Sequence, residues 1–331
     1  MPTVLFLGAG FSAAAGLPWG NELFEAVPIP PSRRRAMDVS AVLDAYQAWR
    51  ASSPEAQPEQ FVSAVYKDST TVTLGGLGFL WPKLIWFLAY RLAAPQASVQ
   101  FYGQRANRTR DNIAVASVHP VHKEWWNIVL KQVQNDIRLS VITTNWDILI
   151  ERALRPTPTH RPWRPGFNYG CGPEGVVASS GFPGSKWLAD LEIRGSVPLL
   201  KLHGSLNWAM KSGHLTKYGD LRPAFRGDAA IVPPVQEKVV PPWATDIWQQ
   251  AREALSTADQ VLVVGYSFPT YDSHVWDLFH DGLASSHAPV HVFDPNASAI
   301  RAQLECVLSE TAITAHSGLP EALAELPVLI S

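Results

Sequence analysis

Apolar runs that end at glycine or at a polar turn recur along the chain. Thr3-Val-Leu-Phe-Leu7, Leu139-Ser-Val-Ile-Thr143, Pro198-Leu-Leu-Lys-Leu202, Val261-Leu-Val-Val264 and Val290-His-Val-Phe293 are short and nearly continuous. They lack the strict alternation of a strand with one face in water, and suit strands covered on both faces of a parallel sheet. Longer segments between them have helical spacing and caps: Ala36–Arg50, Glu59–Tyr66, Phe79–Leu92, Val121–Gln134, Ile148–Leu154, Trp243–Leu255 and Asp272–Leu283. A last strand and helix are expected at Ala312–Ala315 and Pro320–Leu326. Strands alternating with helices predict an α/β fold, a doubly wound and mainly parallel sheet with its ligand site at the carboxyl ends of the strands.

Two stretches interrupt the alternation. Residues 21–136 read as a large helical insertion, and residues 155–195, with Arg155-Pro-Thr-Pro and Gly170-Cys-Gly-Pro, read as a small loop-rich module. The core is then about 1–20, 137–154 and 196–331 of a single 331-residue domain. A hydrophobic share of 47% with 13 Trp supplies its interior, and a charged share of 17% argues against bulk disorder. The formal net charge of −2 provides no global field for nucleic acid or an anionic membrane, so neither is expected as a partner. Cys171 and Cys306 are the only cysteines and cannot by themselves make a four-ligand zinc site, so no metal is expected. Val4–Leu7 has no Lys or Arg ahead of it to make a secretion signal, and Phe79–Ala94 is broken by Pro82, Lys83 and Arg91. A cytoplasmic chain is the expectation.

Four turns at strand ends carry the candidate chemistry. Gly8-Ala-Gly10-Phe-Ser12-Ala13 is a G-x-G-x-x-A turn, in which glycines let backbone N–H groups approach a pyrophosphate at a helix start. Thr143-Thr-Asn145-Trp-Asp147 and Lys201-Leu-His203-Gly-Ser205-Leu-Asn-Trp208 follow two other strands. Together they offer an amide, a carboxylate and a titratable imidazole that can orient sugar hydroxyls or water and move a proton. Gly265-Tyr-Ser267-Phe-Pro-Thr-Tyr-Asp272 is the fourth, and Asp294 follows the next strand. Each of these residues also has a plain structural use: tight turns for the glycines, helix caps for Asn, Asp and Ser, packing for the His.

Taken in order, Gly-Ala-Gly-Phe-Ser with Gly16-Leu-Pro18, Thr-Thr-Asn-Trp-Asp, Lys-Leu-His-Gly-Ser and Val-Gly-Tyr-Ser-Phe-Pro resemble the SIR2-like branch of the sirtuin superfamily over almost the whole chain. The resemblance implies a Rossmann-like fold that binds NAD and cuts its nicotinamide–ribose bond. It assigns Ala9, Gly10 and Ser12 to the phosphates, with Gly8, Phe11, Thr144 and Gly265 completing the cofactor-binding set. Ser267 and Asp294 would hold the adenosine half. Asn145 would lie by the nicotinamide ribose, Asp147 would face the carboxamide and His203 would act as base.

Sirtuin deacylases carry a four-cysteine zinc module after the Asn turn, where this chain has only Cys171. The resemblance therefore points to the bacterial anti-phage NADases that lack the module, with water as nucleophile and nicotinamide and ADP-ribose as products. Such an activity implies restraint by homo-oligomerisation or by an activating partner: an ATPase, a short Argonaute or a nucleotide-sensing protein. The helical insertion and the basic stretches Arg33-Arg-Arg35 and Arg105 to Arg110 are candidate contact surfaces. A non-enzymatic NAD or ADP-ribose sensor and an NAD-dependent deacylase are the alternatives. A dehydrogenase lacks its usual acid about twenty residues past the glycine turn, since helical insertion occupies that stretch.

Overall fold

The computed structural model describes residues 2–25, 32–70, 76–93, 138–153, 166–171, 195–218, 221–233 and 240–318, with residues 27, 30, 124, 125, 325 and 329. The expected Val121–Gln134 helix, the 155–195 module and the Pro320–Leu326 helix lie outside these residues, apart from 124–125, 166–171, 195 and 325; the Arg105 to Arg110 stretch lies outside them entirely.

Among the described residues seven strands form the main sheet: β1 (Thr3–Leu7), β2 (Leu139–Thr143), β3 (Gly166–Asn168), β4 (Gly195–Lys201), β8 (Gln260–Val264), β9 (Val290–Phe293) and β10 (Ile313–His316). Their order is β10-β9-β8-β1-β2-β4-β3, and every neighbouring pair is parallel. The expected Rossmann-like α/β architecture is present. Continuous apolar runs form these strands because both faces are covered: Leu5, Phe6 and Leu7 are fully buried, as are Val261, Leu262 and Val263.

Strand order and register together locate the site. From β1 the chain passes to β2, skips one place to β3, fills in β4 between them, and then returns to place β8 on the other side of β1. The crevice at this reversal, above the carboxyl ends of β1 and β8, is where open α/β sheets bind ligands. Leu7 pairs with Thr143 and with Val264, Thr143 with Lys201, and Val264 with Phe293. One row of the sheet therefore releases the chain at Gly8, Thr144, Leu202, Gly265 and Asp294, all on the same edge.

The turns after β1 and β8 pack back to back. Gly8 N–H donates to the Val264 carbonyl at 3.0 Å and Gly10 N–H to the Gly265 carbonyl at 2.8 Å. Gly265 has φ +64°, and a Cβ there would lie 2.3 Å from the Phe11 nitrogen. These glycines thus have a structural reason independent of any ligand. Gly265→Ala is expected to lower unfolding free energy by about 2 kcal/mol or more, from forced φ and overpacking combined. Urea denaturation measures this, and an unchanged midpoint would show that the two turns can part at little cost.

Helix α9 (Ala297–Glu305) packs on β9 and β10, while α7 (Thr245–Ser256) packs on β4 and against α8 (Ser273–Ser286). Ile247, Ala251 and Leu255, each four residues from the last, form the buried stripe of α7. A second core joins α2 (Arg33–Ser52), α3 (Pro58–Thr70) and α4 (Trp81–Ala93), within the expected insertion. There Phe61, Val65, Leu84, Phe87 and Leu88 cluster with Trp146, Leu206 and Ile231. The insertion is thus packed on the turn that carries Asn145 and on a small sheet described next. Among the described residues no helix is long and apolar enough to cross a membrane.

That small sheet is absent from the sequence reading. β5 (Gly204–Lys211), β6 (His214–Lys217) and β7 (Ala229–Ile231) form an antiparallel sheet of order β6-β5-β7, followed on β6 by the five-residue α6 (Arg222–Arg226) before β7. Residues 204–209 are buried without alternation, so the period-two pattern of a strand was hidden. The Ser212-Gly213 pair, with φ of +51° and +83°, makes the two-residue hairpin turn and was the legible signal.

Candidate functional site

A cavity of about 590 Å³ opens above the sheet reversal. Ala9, Gly10 and Ser12 of the first turn line it, with Thr144, Asn145 and Asp147 of the second and His203 of the third. Gly265 and Ser267 of the fourth turn and Asp294 after β9 complete the wall. Of the twelve residues singled out by sequence, Gly8 and Phe11 do not line the cavity. Phe11 is buried in the sheet core with its ring 5.0 Å from that of Trp125, and Gly8 faces Gly265 and Tyr266.

Asn145 ties the first two turns together. Its Nδ2 donates to the Gly8 carbonyl at 2.8 Å and to Ser12 Oγ at 2.9 Å, while Thr143 Oγ1 accepts its backbone N–H at 3.1 Å. Ser12 Oγ in turn donates to Asp147 Oδ2 at 2.7 Å. The other oxygen, Asp147 Oδ1, accepts the Leu149 N–H at 2.9 Å at the start of α5 (Leu149–Ala153). Capping and site membership therefore coincide at Asp147. Asp294 closes a local turn ahead of α9, its Oδ1 accepting the N–H of the N-cap residue Asn296 at 2.8 Å.

A buried ion pair stands behind this turn. Lys201 and Glu151, each 1% exposed, meet at 3.1 Å, and Lys201 Nζ also donates to the Asp147 carbonyl. Burial pushes the Glu151 carboxyl up, with Lys201 opposing that shift.

His203 lies two residues past β4 and is 3% exposed. Its Nε2 lies 3.4 Å from Asp272 Oδ1, and Asp272 Oδ2 accepts the Tyr266 hydroxyl at 2.8 Å. Asp272 sits at the N-cap position of α8 without capping it, its carboxylate turned toward Tyr266 and His203 instead. Burial, then the charge of Asp272, hold the Tyr266 phenol protonated well above its ordinary range, so it remains a donor. The Trp248 ring stands 6.4 Å from the imidazole, and its Nε1 donates to the Leu202 carbonyl. A carboxylate this close to a ring nitrogen stabilises the imidazolium that forms when a His takes up a proton as a general base.

Sequence reasoning missed Asp272, Tyr266, Glu59 and Tyr271 as site residues, although all four line the cavity. Asp272 and Tyr266 lie in the quoted fourth turn, and only the fold brings them to His203. Glu59 belongs to α3 and accepts a hydrogen bond from the Tyr271 hydroxyl. Burial pushes its carboxyl up from the ordinary range, and burial followed by Glu59 does the same to the Tyr271 phenol. Among the described residues lining the cavity there is no Lys or Arg.

The chain is similar to several solved structures. A Sir2 homologue mutant in complex with 2′-O-acetyl ADP ribose is 14% identical, with 99% of this chain and 91% of that chain covered and a TM-score of 0.47. A Sir2 enzyme from a study of mechanism and regulation is 13% identical, covering 99% and 90%, with a TM-score of 0.45. A Sir2–p53 peptide–NAD+ structure is 14% identical, covering 99% and 94%, with a TM-score of 0.41. These likenesses are too distant to carry any residue's role over. No curated protein matches the sequence. A family model described as the SIR2-like domain matches residues 139–313. The first turn precedes that span but is bonded to it through Gly10, Gly265 and Asn145. With more than half of its length matched, the chain belongs to the SIR2-like domain family.

Proposed function

We propose that the protein is an NAD+ hydrolase that cleaves the nicotinamide–ribose bond to give nicotinamide and ADP-ribose. One observation carries this reading: Asn145 and the Asp272-held His203 face a single cavity at the sheet reversal, beside the glycine turn. The cavity's volume, about 590 Å³, lies in the range for enclosing a small ligand.

In this reading the adenosine half lies toward Ser267 and Asp294, the latter offering ribose hydroxyls its oxygen not bonded to Asn296. The phosphates lie along Ala9, Gly10 and Ser12, held by backbone dipoles; Gly10 N–H and Ser12 Oγ already have protein partners, so they contribute only by exchanging those bonds. Asp147 faces the carboxamide. Asn145 orients the nicotinamide ribose or the attacking water, and His203 takes a proton from one of them. Positioned dipoles suffice for much of the acceleration, because nicotinamide leaves as a neutral molecule and needs no strong acid. A constitutive activity of this kind would exhaust the host's NAD. We therefore assign restraint to self-assembly or to a partner such as an ATPase, a short Argonaute or a nucleotide-sensing protein, in a cytoplasmic effector of anti-phage defence.

The purified protein, incubated with NAD across concentrations that drive assembly, is expected to release nicotinamide and ADP-ribose in equal amounts. Asn145→Ala should slow that release by about 10²-fold, the scale of losing one positioned hydrogen-bonding group, here Oδ1, because both Nδ2 hydrogens are given to Gly8 and Ser12. Tight NAD binding with no turnover at any concentration would sink the hydrolase in favour of a sensor. Deacylated product from an added acyl-lysine peptide would replace it with a deacylase.

A further inference from the structure

We propose that Lys201 is a positioning residue for the cleavage site: from the end of β4 its ammonium holds the Asp147 carbonyl, and through the Asp147 carboxylate and Ser12 it fixes the amide of Asn145. This role deepens the NAD+ hydrolase reading and rests on it for the reaction that Asn145 serves. The contacts form an unbroken chain. Lys201 Nζ donates to the Asp147 carbonyl and, at 3.1 Å, to Glu151 Oε1. Asp147 Oδ2 accepts the Ser12 hydroxyl at 2.7 Å, and Ser12 Oγ accepts an Asn145 Nδ2 hydrogen at 2.9 Å. Asn145 and Asp147 line the cavity, whereas Lys201 does not and is fully buried behind them.

The backbone of the second turn is held residue by residue. Thr143 Oγ1 accepts the Asn145 N–H at 3.1 Å, and the Trp146 carbonyl accepts the Leu206 N–H at 2.9 Å and the Ser205 hydroxyl at 3.3 Å. Lys201, paired in register with Thr143, takes the next carbonyl, that of Asp147. This last tie comes from a charged side chain, so substitution can remove it. Stability does not account for the ion pair with Glu151. Two buried charges lose their water, and their attraction compensates only where the remaining lone pairs are also satisfied. Glu151 Oε2 is buried with no hydrogen-bond partner among the described residues, and burial pushes the Glu151 carboxyl up. A pair short of one hydrogen bond can be replaced by apolar side chains of similar volume with the fold retained. Such a replacement cannot supply the directional N–H at the Asp147 carbonyl.

Lys201→Met combined with Glu151→Leu removes that donor and both charges while keeping the volume. Its urea midpoint should stay near that of wild type. ADP-ribose affinity by calorimetric titration should hold within about twofold, because other turns grip the adenosine and phosphates. With KM little changed, kcat for nicotinamide release should fall by about 10- to 10²-fold, the scale of a misplacement of about 1 Å transmitted from outside the chemistry. Added to Asp147→Ala, which cuts the chain to Ser12, the same replacement should cause no further loss. Amide exchange reads the placement without turnover. The Leu149 N–H, bonded to Asp147 Oδ1 at 2.9 Å, should exchange about tenfold faster, and the Leu206 N–H on the Trp146 carbonyl at its wild-type rate. Wild-type kcat in the folded double variant would overturn the role, as would a kcat loss that persists in full beside Asp147→Ala. Stability and ADP-ribose affinity falling together with kcat would mark the pair as structural and overturn it too. If the double variant does not fold, Lys201→Met alone carries the same expectations, since Glu151 in its buried place can take a proton and stay neutral. A wild type that cleaves no NAD+ would remove the hydrolase reading, with faster or unchanged exchange at Leu149 still deciding whether Lys201 places Asp147.

Discussion

Replacing His203 with alanine is expected to slow nicotinamide release from NAD by about 10²–10⁴-fold, the range for loss of a positioned general base. ADP-ribose affinity should be nearly unchanged, because the proposed grip on the adenosine and phosphates lies on other turns. The size of the effect follows from how firmly the ring is set. Asp272 faces Nε2, Tyr266 holds the other carboxylate oxygen at 2.8 Å, and Trp248 stands beside the ring. Asp272→Asn then serves as a companion variant: it keeps the shape and removes the charge that orients the imidazole. It should lower kcat with little change in KM, whereas a merely structural loss would reduce stability and affinity together. Full activity in His203→Ala would transfer the base role to another group and leave the buried dyad without a catalytic account.

Glu151→Ala is expected to lower unfolding free energy by about 3–5 kcal/mol, because breaking a buried ion pair leaves an uncompensated charge. Lys201 and Glu151 are each 1% exposed, and Lys201 also donates to the carbonyl of Asp147. Removing Glu151 leaves the Lys201 ammonium inside the second turn, beside the residues that hold Asn145. Replacing both partners at once, Lys201→Met with Glu151→Leu, should come within about 1 kcal/mol of wild type, since apolar side chains of similar volume can replace such a pair. Urea denaturation of the two variants decides the matter. Equal destabilisation of single and double variants would mean that packing volume, not charge, governs this position.

The strands and helices of the core were legible because their physics is local. A run such as Val261-Leu-Val-Val264 has no polar face to offer water, and β8 spans Gln260–Val264. The spacing of Ile247, Ala251 and Leu255 likewise announced α7. The β5–β7 sheet was legible only at its Ser212-Gly213 turn, because Gly204–Ala209 is buried throughout and shows no alternation. Asp272 illustrates a second kind of limit. At a helix start a cap is the reasonable expectation, and only the packing of the β8 turn against the β4 turn diverts its carboxylate to His203.

Sequence alone determined the element types, the glycine turns, and the family resemblance borne by Asn145, His203 and Ser267, since each depends on neighbours a few residues apart. The tertiary structure decided what those residues touch. Parallel register set five turns on one edge, and strand reversal opened the cavity between β1 and β8. The insertion, folded on its own apolar core, delivered Glu59 from more than two hundred residues away in sequence to the hydroxyl of Tyr271. No local pattern encodes such a meeting, because side chains this distant are joined only by burial of surfaces that the sequence does not pair in advance.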